Sequence, residues 1–134
     1  MNKLTPKQVI MLNTKVTGSV PVLSDEQQKQ LEDLCEVPYE LDEKFFYICR
    51  STVEKAARLG CEIADKKVFN DKNEETALLS MLTLLEVNGV RVKDYGRDKQ
   101  MLMEDLSKYD EKSIRSWISG HRKNSEKISV LKNN

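Results

Sequence analysis

The stretch EETALLSMLTLLEVN, residues 74–88, is the most strongly helical part of the sequence. A helix over these residues would carry apolar side chains around most of its circumference: Ala77, Leu78, Met81, Leu82, Leu84 and Leu85. Gly89 follows, and glycine is typical of the residue that ends a helix. Because a helix that is apolar nearly all round is buried, residues 74–88 are predicted to form the central helix of an all-α protein.

Helix signals recur upstream of this stretch. Thr5, with Pro6 at the first helical position, predicts a first helix. Ser24 predicts a second, because it can cap a helix whose first turn is acidic. Closely spaced apolar residues predict a third: Phe45, Phe46, Ile48 and Cys49.

A fourth helix is predicted to begin at Ser51, which forms a capping-box pattern with Glu54. Its apolar face consists mostly of small residues, so a neighbouring helix can approach closely: Val53, Ala56, Ala57, Gly60, Ile63 and Ala64. Downstream of Gly89, apolar residues predict a sixth and a short seventh helix: Met101, Leu102 and Leu106, then Ile114, Trp117 and Ile118.

These signals predict one compact bundle of six to seven helices. A chain of 134 residues is long enough to bury a single core. We assign residues 1–120 to the domain and residues 121–134 to a basic, flexible tail, since the tail is polar and carries more Lys and Arg than Glu.

Charge and hydropathy narrow the class of partner. Lys plus Arg and Asp plus Glu both number 22, so no net field attracts nucleic acid. The longest strongly apolar run, residues 77–85, is shorter than the ~20 residues that a membrane span needs. With no signal-peptide pattern at its start, the chain is expected to be cytoplasmic, without nucleic-acid or membrane partners.

The connection before the central helix, VFNDKN at residues 68–73, is where chemistry is most expected. Free backbone N–H groups and the helix dipole make a helix N-terminus a natural anion site. The same residues have a structural interpretation, because Asp71 or Asn73 can simply cap the helix. The residues of this segment alone leave both interpretations open.

The wider segment EKAARLGCEIADKKVFNDKNEETALLSMLTLLEVNGVRV, residues 54–92, resembles the core of the Fic/Doc (Fido) family. The signature of that family is H-x-F-x-[D/N]-G-N-[G/K]-R, followed by Thr-Ala and a long apolar helix that ends in Asn-Gly. The opening LTPKQVIMLNTKVTG, residues 4–18, is similar to the start of the death-on-curing (Doc) branch. The resemblance implies an ATP- and Mg²⁺-dependent transferase that modifies a protein hydroxyl, of toxin–antitoxin origin.

Three positions match the signature. Phe69 corresponds to its buried aromatic, Asp71 to the acidic residue associated with magnesium, and Asn73 to the asparagine of the anion-binding loop. Four positions depart from it. Lys67 replaces the catalytic histidine, Lys72 the small residue, and a pair of carboxylates the basic pair that holds phosphates: Glu74 and Glu75.

The departures oppose the chemistry that the resemblance implies. A lysine is a base at neutral pH only when burial or another cation lowers its pKa by about three units. Glu74 and Glu75 repel phosphate, and the side chain of Lys72 crowds its approach. We therefore expect a pseudoenzyme or binding module that needs no cofactor, with an antitoxin-like small protein or another protein as partner.

The alternative is an active phospho- or adenylyltransferase with altered chemistry, which would require ATP and Mg²⁺. Lys67 would then be the base, or three carboxylates would hold a metal ion: Asp71, Glu74 and Glu75.

Other candidate catalytic residues are weak. The only histidine, His121, is far from residues 67–75 in sequence, and the cysteines at 35, 49 and 61 are expected to be buried thiols.

Overall fold

A computed structural model of the protein describes residues 2–93, 106–108 and 110–121. These residues form five α-helices, numbered α1 (Pro6–Thr17), α2 (Asp25–Glu36), α3 (Thr52–Lys66), α4 (Asn73–Val87) and α5 (Glu111–His121). Short 3₁₀ helices lie at Val37–Tyr39 and Leu106–Lys108. The all-α fold class is confirmed, although this part of the chain contains five α-helices where the whole sequence predicted six to seven.

Side-chain caps fix the starts of the first three helices, as the sequence predicts. Thr5 and Ser24 each form a capping box, with the glutamine three residues later. Ser51 accepts a hydrogen bond from the Glu54 N–H, but the carboxylate of Glu54 accepts from the N–H of Arg50 at 3.2 Å instead of from Ser51. The box predicted for α3 is therefore displaced by one residue.

Helix α4 lies at the centre of the bundle. It packs most extensively against α3 and also contacts α1 and the 3₁₀ helix Leu106–Lys108, while α5 packs on α3. Its buried residues lie on more than one face, as expected of a central helix: Thr76, Ala77, Leu78, Ser80, Met81, Leu84 and Leu85. Gly89, with φ +81°, follows its C-terminal end.

Helices α3 and α4 approach closely at Gly60. A Cβ atom placed on Gly60 would lie 3.3 Å from the Sδ atom of Met81 on α4. Ala56, Ala57 and Ala64 on the same helix are fully buried. The prediction that the small residues of α3 mark close helix packing is confirmed.

The helix predicted from Phe45, Phe46, Ile48 and Cys49 is wrong. Asp42 Oδ1 accepts hydrogen bonds from the backbone N–H groups of Lys44 at 2.8 Å and Phe46 at 3.1 Å. Phe45 has φ +66°, a left-handed conformation that interrupts any helix. The apolar spacing was compatible with a helix, but the Asp42 side chain stabilises a turn instead.

This turn folds the chain back on itself, and Leu41 and Tyr47 form an isolated antiparallel bridge. We call residues 41–48 the aromatic loop. Its large apolar side chains are exposed: Leu41, Phe45, Phe46, Tyr47 and Ile48. Cys49, directly after the loop, is buried.

The seventh predicted helix corresponds to α5, where Ile114 and Ile118 are buried and Trp117 is partly buried. Helix α5 includes His121, which the sequence analysis assigned to the tail. Of the sixth predicted helix only Leu106 lies within the described residues, in a 3₁₀ helix. Met101, Leu102 and the remainder of the tail lie outside them. No helix in the described ranges is both long and apolar enough to cross a membrane.

The close contact at Gly60 predicts a strong dependence on side-chain size. Gly60→Leu should lower the free energy of unfolding by about 1–3 kcal/mol, because the added atoms would collide with Met81. Gly120→Leu is the matched control, since a Cβ atom on Gly120 has no neighbour within 4 Å. Urea unfolding measures both variants; equal stability of the two would show that α3 and α4 are not packed in this way.

Candidate functional site: the loop between α3 and α4

The segment with the signature-like residues connects α3 to α4. We call residues 67–72 the motif loop. Both of its ends are left-handed although neither is glycine: Lys67 has φ +50° and ψ +51°, and Lys72 has φ +59° and ψ +36°. This conformation costs a non-glycine residue roughly 1–2 kcal/mol, so surrounding contacts must hold the loop in place.

Asn73 supplies one such contact. Its Oδ1 atom accepts a hydrogen bond from the Phe69 N–H at 3.0 Å, and its Nδ2 atom donates to the Phe69 carbonyl at 2.8 Å. The side-chain amide therefore pairs with both backbone groups of one residue. Val68 and Phe69 are themselves buried in the core, which anchors the middle of the loop.

Helix α1 holds the other half of the loop through a buried amide. Asn13 Nδ2 donates to the carbonyl of Asp71 at 3.0 Å and to Thr76 Oγ1 at 3.0 Å. The hydroxyl of Thr76 in turn donates to the carbonyl of Lys72 at 2.7 Å. These bonds join α1, the loop and α4 in one network.

Helix α2 adds a further contact, from Gln27 Nε2 to the carbonyl of Val68 at 2.9 Å. Side chains thus satisfy the carbonyl groups of four loop residues: Val68, Phe69, Asp71 and Lys72. Asn73 also occupies the N–H of Phe69. The motif loop is therefore a hydrogen-bonded part of the packed structure, held by α1, α2 and α4 together.

The start of α4 differs from the starts of α1, α2 and α3. Its N-cap residue is Lys72, which makes no side-chain capping hydrogen bond. The structural interpretation, in which Asp71 or Asn73 caps α4, is therefore wrong: Asn73 is the first helical residue, and its amide turns back to Phe69. The helix dipole is instead complemented by two carboxylates in the first turn, Glu74 and Glu75.

The charged side chains of the site lie at its surface. Lys67, the residue at the position of the signature histidine, is exposed, and so is Asp71. Lys72 Nζ lies 3.3 Å from Glu75 Oε1, and both side chains are partly exposed. Such a pair contributes at most about 1 kcal/mol to stability, yet it neutralises a cation that a phosphate would otherwise meet.

No metal centre is assembled in the described ranges, where no three His, Cys, Asp or Glu side chains group around a common point. The three carboxylates considered for metal binding all lie in these ranges, at positions 71, 74 and 75, and do not form such a group. Only Asp71 matches a metal-associated position of the signature, so a metal role for it remains a prediction.

The histidine and the cysteines lie in surroundings that do not favour a catalytic role. His121 stacks on Trp117, with ring centroids 4.5 Å apart, and its Nδ1 lies 2.7 Å from the Trp117 carbonyl. Burial raises the pKa of Cys35 to about 12, with a smaller contribution from Glu36. Burial also raises the pKa of Cys61 to about 11, although this thiol is only partly buried. Neither cysteine is a thiolate at neutral pH, so neither is a good nucleophile.

Sequence reasoning missed three residues that hold the motif loop: Asn13, Gln27 and Thr76. The one available signal was Asn13, a polar residue one turn after Val9 on the face that α1 buries. Gln27 was recognisable as a capping-box residue, but its bond to the loop depends on how α2 packs.

Comparisons with known proteins do not assign the chain to a family. No protein-family model matches the chain. A search of the curated proteins also found no match. The Fic/Doc resemblance therefore depends on the quoted residues alone.

The Asn73–Phe69 pair predicts a measurable contribution to stability. Asn73→Ala should lower the free energy of unfolding by about 1–3 kcal/mol, because both backbone groups of buried Phe69 lose their partner. Asn70→Ala changes an exposed residue of the same loop and should stay within about 0.5 kcal/mol of the wild type. Thermal or urea unfolding measures both; an equal effect of the two would contradict this role of Asn73.

Proposed function

We propose that this protein is a Fic/Doc-like pseudoenzyme of toxin–antitoxin origin, which acts in the cytoplasm by binding another protein. The proposal is carried by the residues and charges where the motif loop meets α4. Buried Phe69 is hydrogen-bonded to Asn73 at the start of α4, so two signature positions are paired, but the first turn of the same helix carries carboxylates. Two positions of the signature are thus combined with charges that repel an anion.

Three properties of the loop argue against transfer from ATP. The residue at the histidine position is Lys67, and its side chain is exposed instead of being held in a catalytic pocket. Lys72 is paired with Glu75 at 3.3 Å and is less available to a phosphate. Glu74 and Glu75 add negative charge where phosphate oxygens would meet the helix dipole. The alternative, an active transferase with Lys67 as base, has no observation in its favour.

The first test is nucleotide binding. Calorimetry with ATP and Mg²⁺ should detect no saturable binding to the wild type, because the carboxylates at positions 74 and 75 oppose the triphosphate. Micromolar affinity would contradict the proposal. So would transfer of label from ATP by the wild type that Lys67→Ala abolishes.

The second test restores the signature. Lys67→His, Lys72→Gly, Glu74→Lys and Glu75→Arg together should recover ATP binding, since they reverse the charge and glycine readily adopts the left-handed conformation at position 72. No single reversion should suffice, because base, space and charge act as a unit. Binding should return before transfer, which also requires a positioned target hydroxyl.

The control for this experiment is a charge reversal on α2. Glu32→Lys with Asp33→Arg makes the same charge reversal as Glu74→Lys with Glu75→Arg, at two exposed positions. This variant should not bind ATP. If it binds as well as the restored protein, the attraction is nonspecific and the motif loop is not a nucleotide site.

The aromatic loop supports the binding half of the proposal. Five large apolar side chains lie within residues 41–48, and the exposed fraction of Phe45 reaches 82%. Phe46, Tyr47 and Arg50 line a surface cavity of about 310 Å³, close to the lower end of the range for small-molecule pockets. Exposed apolar groups of this kind are typical of protein-binding surfaces. We assign this surface to an antitoxin-like segment that offers an apolar anchor to the cavity and a carboxylate to Arg50.

Retention of that partner tests this assignment. Phe45→Ser with Phe46→Ser should abolish retention of a small antitoxin-like protein from a lysate of the source cell, because the apolar contact area is lost. Val20→Ser with Val22→Ser is the matched control, with exposed fractions of 72% and 88% on the connection between α1 and α2. Equal retention by the aromatic-loop variant, or no retention from a lysate containing the neighbouring gene's product, would refute the assignment.

A further inference from the structure

The end of α4 carries the only Asn-Gly pair in the sequence, Asn88 and Gly89. Gly89 is left-handed, with φ +81°. Its N–H donates to the carbonyl of Glu86 at 3.0 Å, and the Val90 N–H donates to that of Leu85 at 2.9 Å. These bonds form a Schellman motif, so the backbone after Asn88 is fixed.

The side chain of Asn88 is fixed as well. Its Oδ1 atom accepts from the backbone N–H of Asn2 at 2.9 Å, while Nδ2 donates to the carbonyls of Asn2 at 2.9 Å and Leu84 at 2.8 Å. Asn2 Nδ2 also donates to the carbonyl of Val87 at 3.0 Å. We call this set of bonds between residue 2 and the end of α4 the amide clamp.

Asn-Gly pairs have a characteristic spontaneous reaction. The glycine nitrogen attacks the side-chain carbonyl carbon of the asparagine, a carbon–nitrogen bond forms, and the side-chain nitrogen leaves as ammonia with the proton of the glycine N–H. Water then opens the cyclic imide at either carbonyl and gives aspartate or isoaspartate. Glycine favours the reaction because it has no side chain to obstruct the approach.

We propose that Asn88 is a deamidation site and that the amide clamp controls its rate. In the folded protein the Gly89 N–H is directed to Glu86, and the Asn88 amide is held by Asn2 and Leu84. The attack requires that these bonds open together, so the rate follows local opening at the end of α4.

Both products of the reaction would destabilise the end of α4. An aspartate at position 88 cannot donate to the carbonyls of Asn2 and Leu84, and it places negative charge at the C-terminal end of the α4 dipole. Isoaspartate also lengthens the backbone within the Schellman motif. Either product weakens the amide clamp, because the bonds donated by Asn88 Nδ2 are lost, and it loosens the segment that contains buried Leu4 and leads into α1.

The test measures conversion of Asn88 to aspartate and isoaspartate by peptide mapping during incubation at mildly alkaline pH. Wild type should convert at least about tenfold more slowly when folded than in urea, because several bonds must open first. Asn2→Ala removes only the bond to Val87, whereas Asn2→Pro also removes the N–H that donates to Asn88. Asn2→Pro should therefore convert about fivefold or more faster than Asn2→Ala.

Two further arms separate the clamp from general destabilisation. Lys3→Ala removes the adjacent ion pair with Glu36 but no clamp bond, so its conversion rate should equal that of the wild type. Asn88→Asp installs one product directly and should lower the thermal midpoint by several degrees. Equal rates in folded and urea-unfolded wild type, equal rates for the two Asn2 variants, or an unchanged midpoint for Asn88→Asp would overturn the proposal.

Discussion

The pairing of the Asn73 side-chain amide with the backbone of Phe69 fixes how α3 is connected to α4. Helices α3 and α4 make the most extensive helix–helix contact of the described residues, so their relative position determines the rest of the core. The pairing also allows two lysines to remain left-handed at the ends of the motif loop. Asn13 of α1 and Gln27 of α2 also donate hydrogen bonds to the motif loop. We therefore regard the loop and the core as a single cooperative unit.

This arrangement separates stability from chemistry. A loop that receives phosphate must leave N–H groups and positive charge available, whereas here Asn73 occupies the N–H of Phe69 and two carboxylates lie in the first turn of α4. Glu74 and Glu75 stabilise α4 through its dipole, and at the same positions they repel phosphate. Replacement of a catalytic set can therefore leave a fold intact, which is the physical basis of the proposed pseudoenzyme.

Much of the fold was predictable because the signals are local. Thr5, Ser24 and Ser51 cap helices through atoms within three or four residues, and the apolar residues of α4 define a buried helix without reference to a partner. The aromatic loop was not predictable from apolar spacing, because a single hydrogen-bonding side chain, Asp42, outweighs it. The role of Asn13 was also hidden, since its partners are 58 and 63 residues away.

Hydrogen exchange at the backbone N–H of Phe69 tests the central claim most directly. If Asn73 and the core hold the motif loop in one cooperative unit, this amide should exchange as slowly as that of Leu78 in the buried α4, because both open only on global unfolding. Exchange of the Phe69 amide as fast as that of exposed Asn70 would show that the loop opens independently of the core, and would contradict the account.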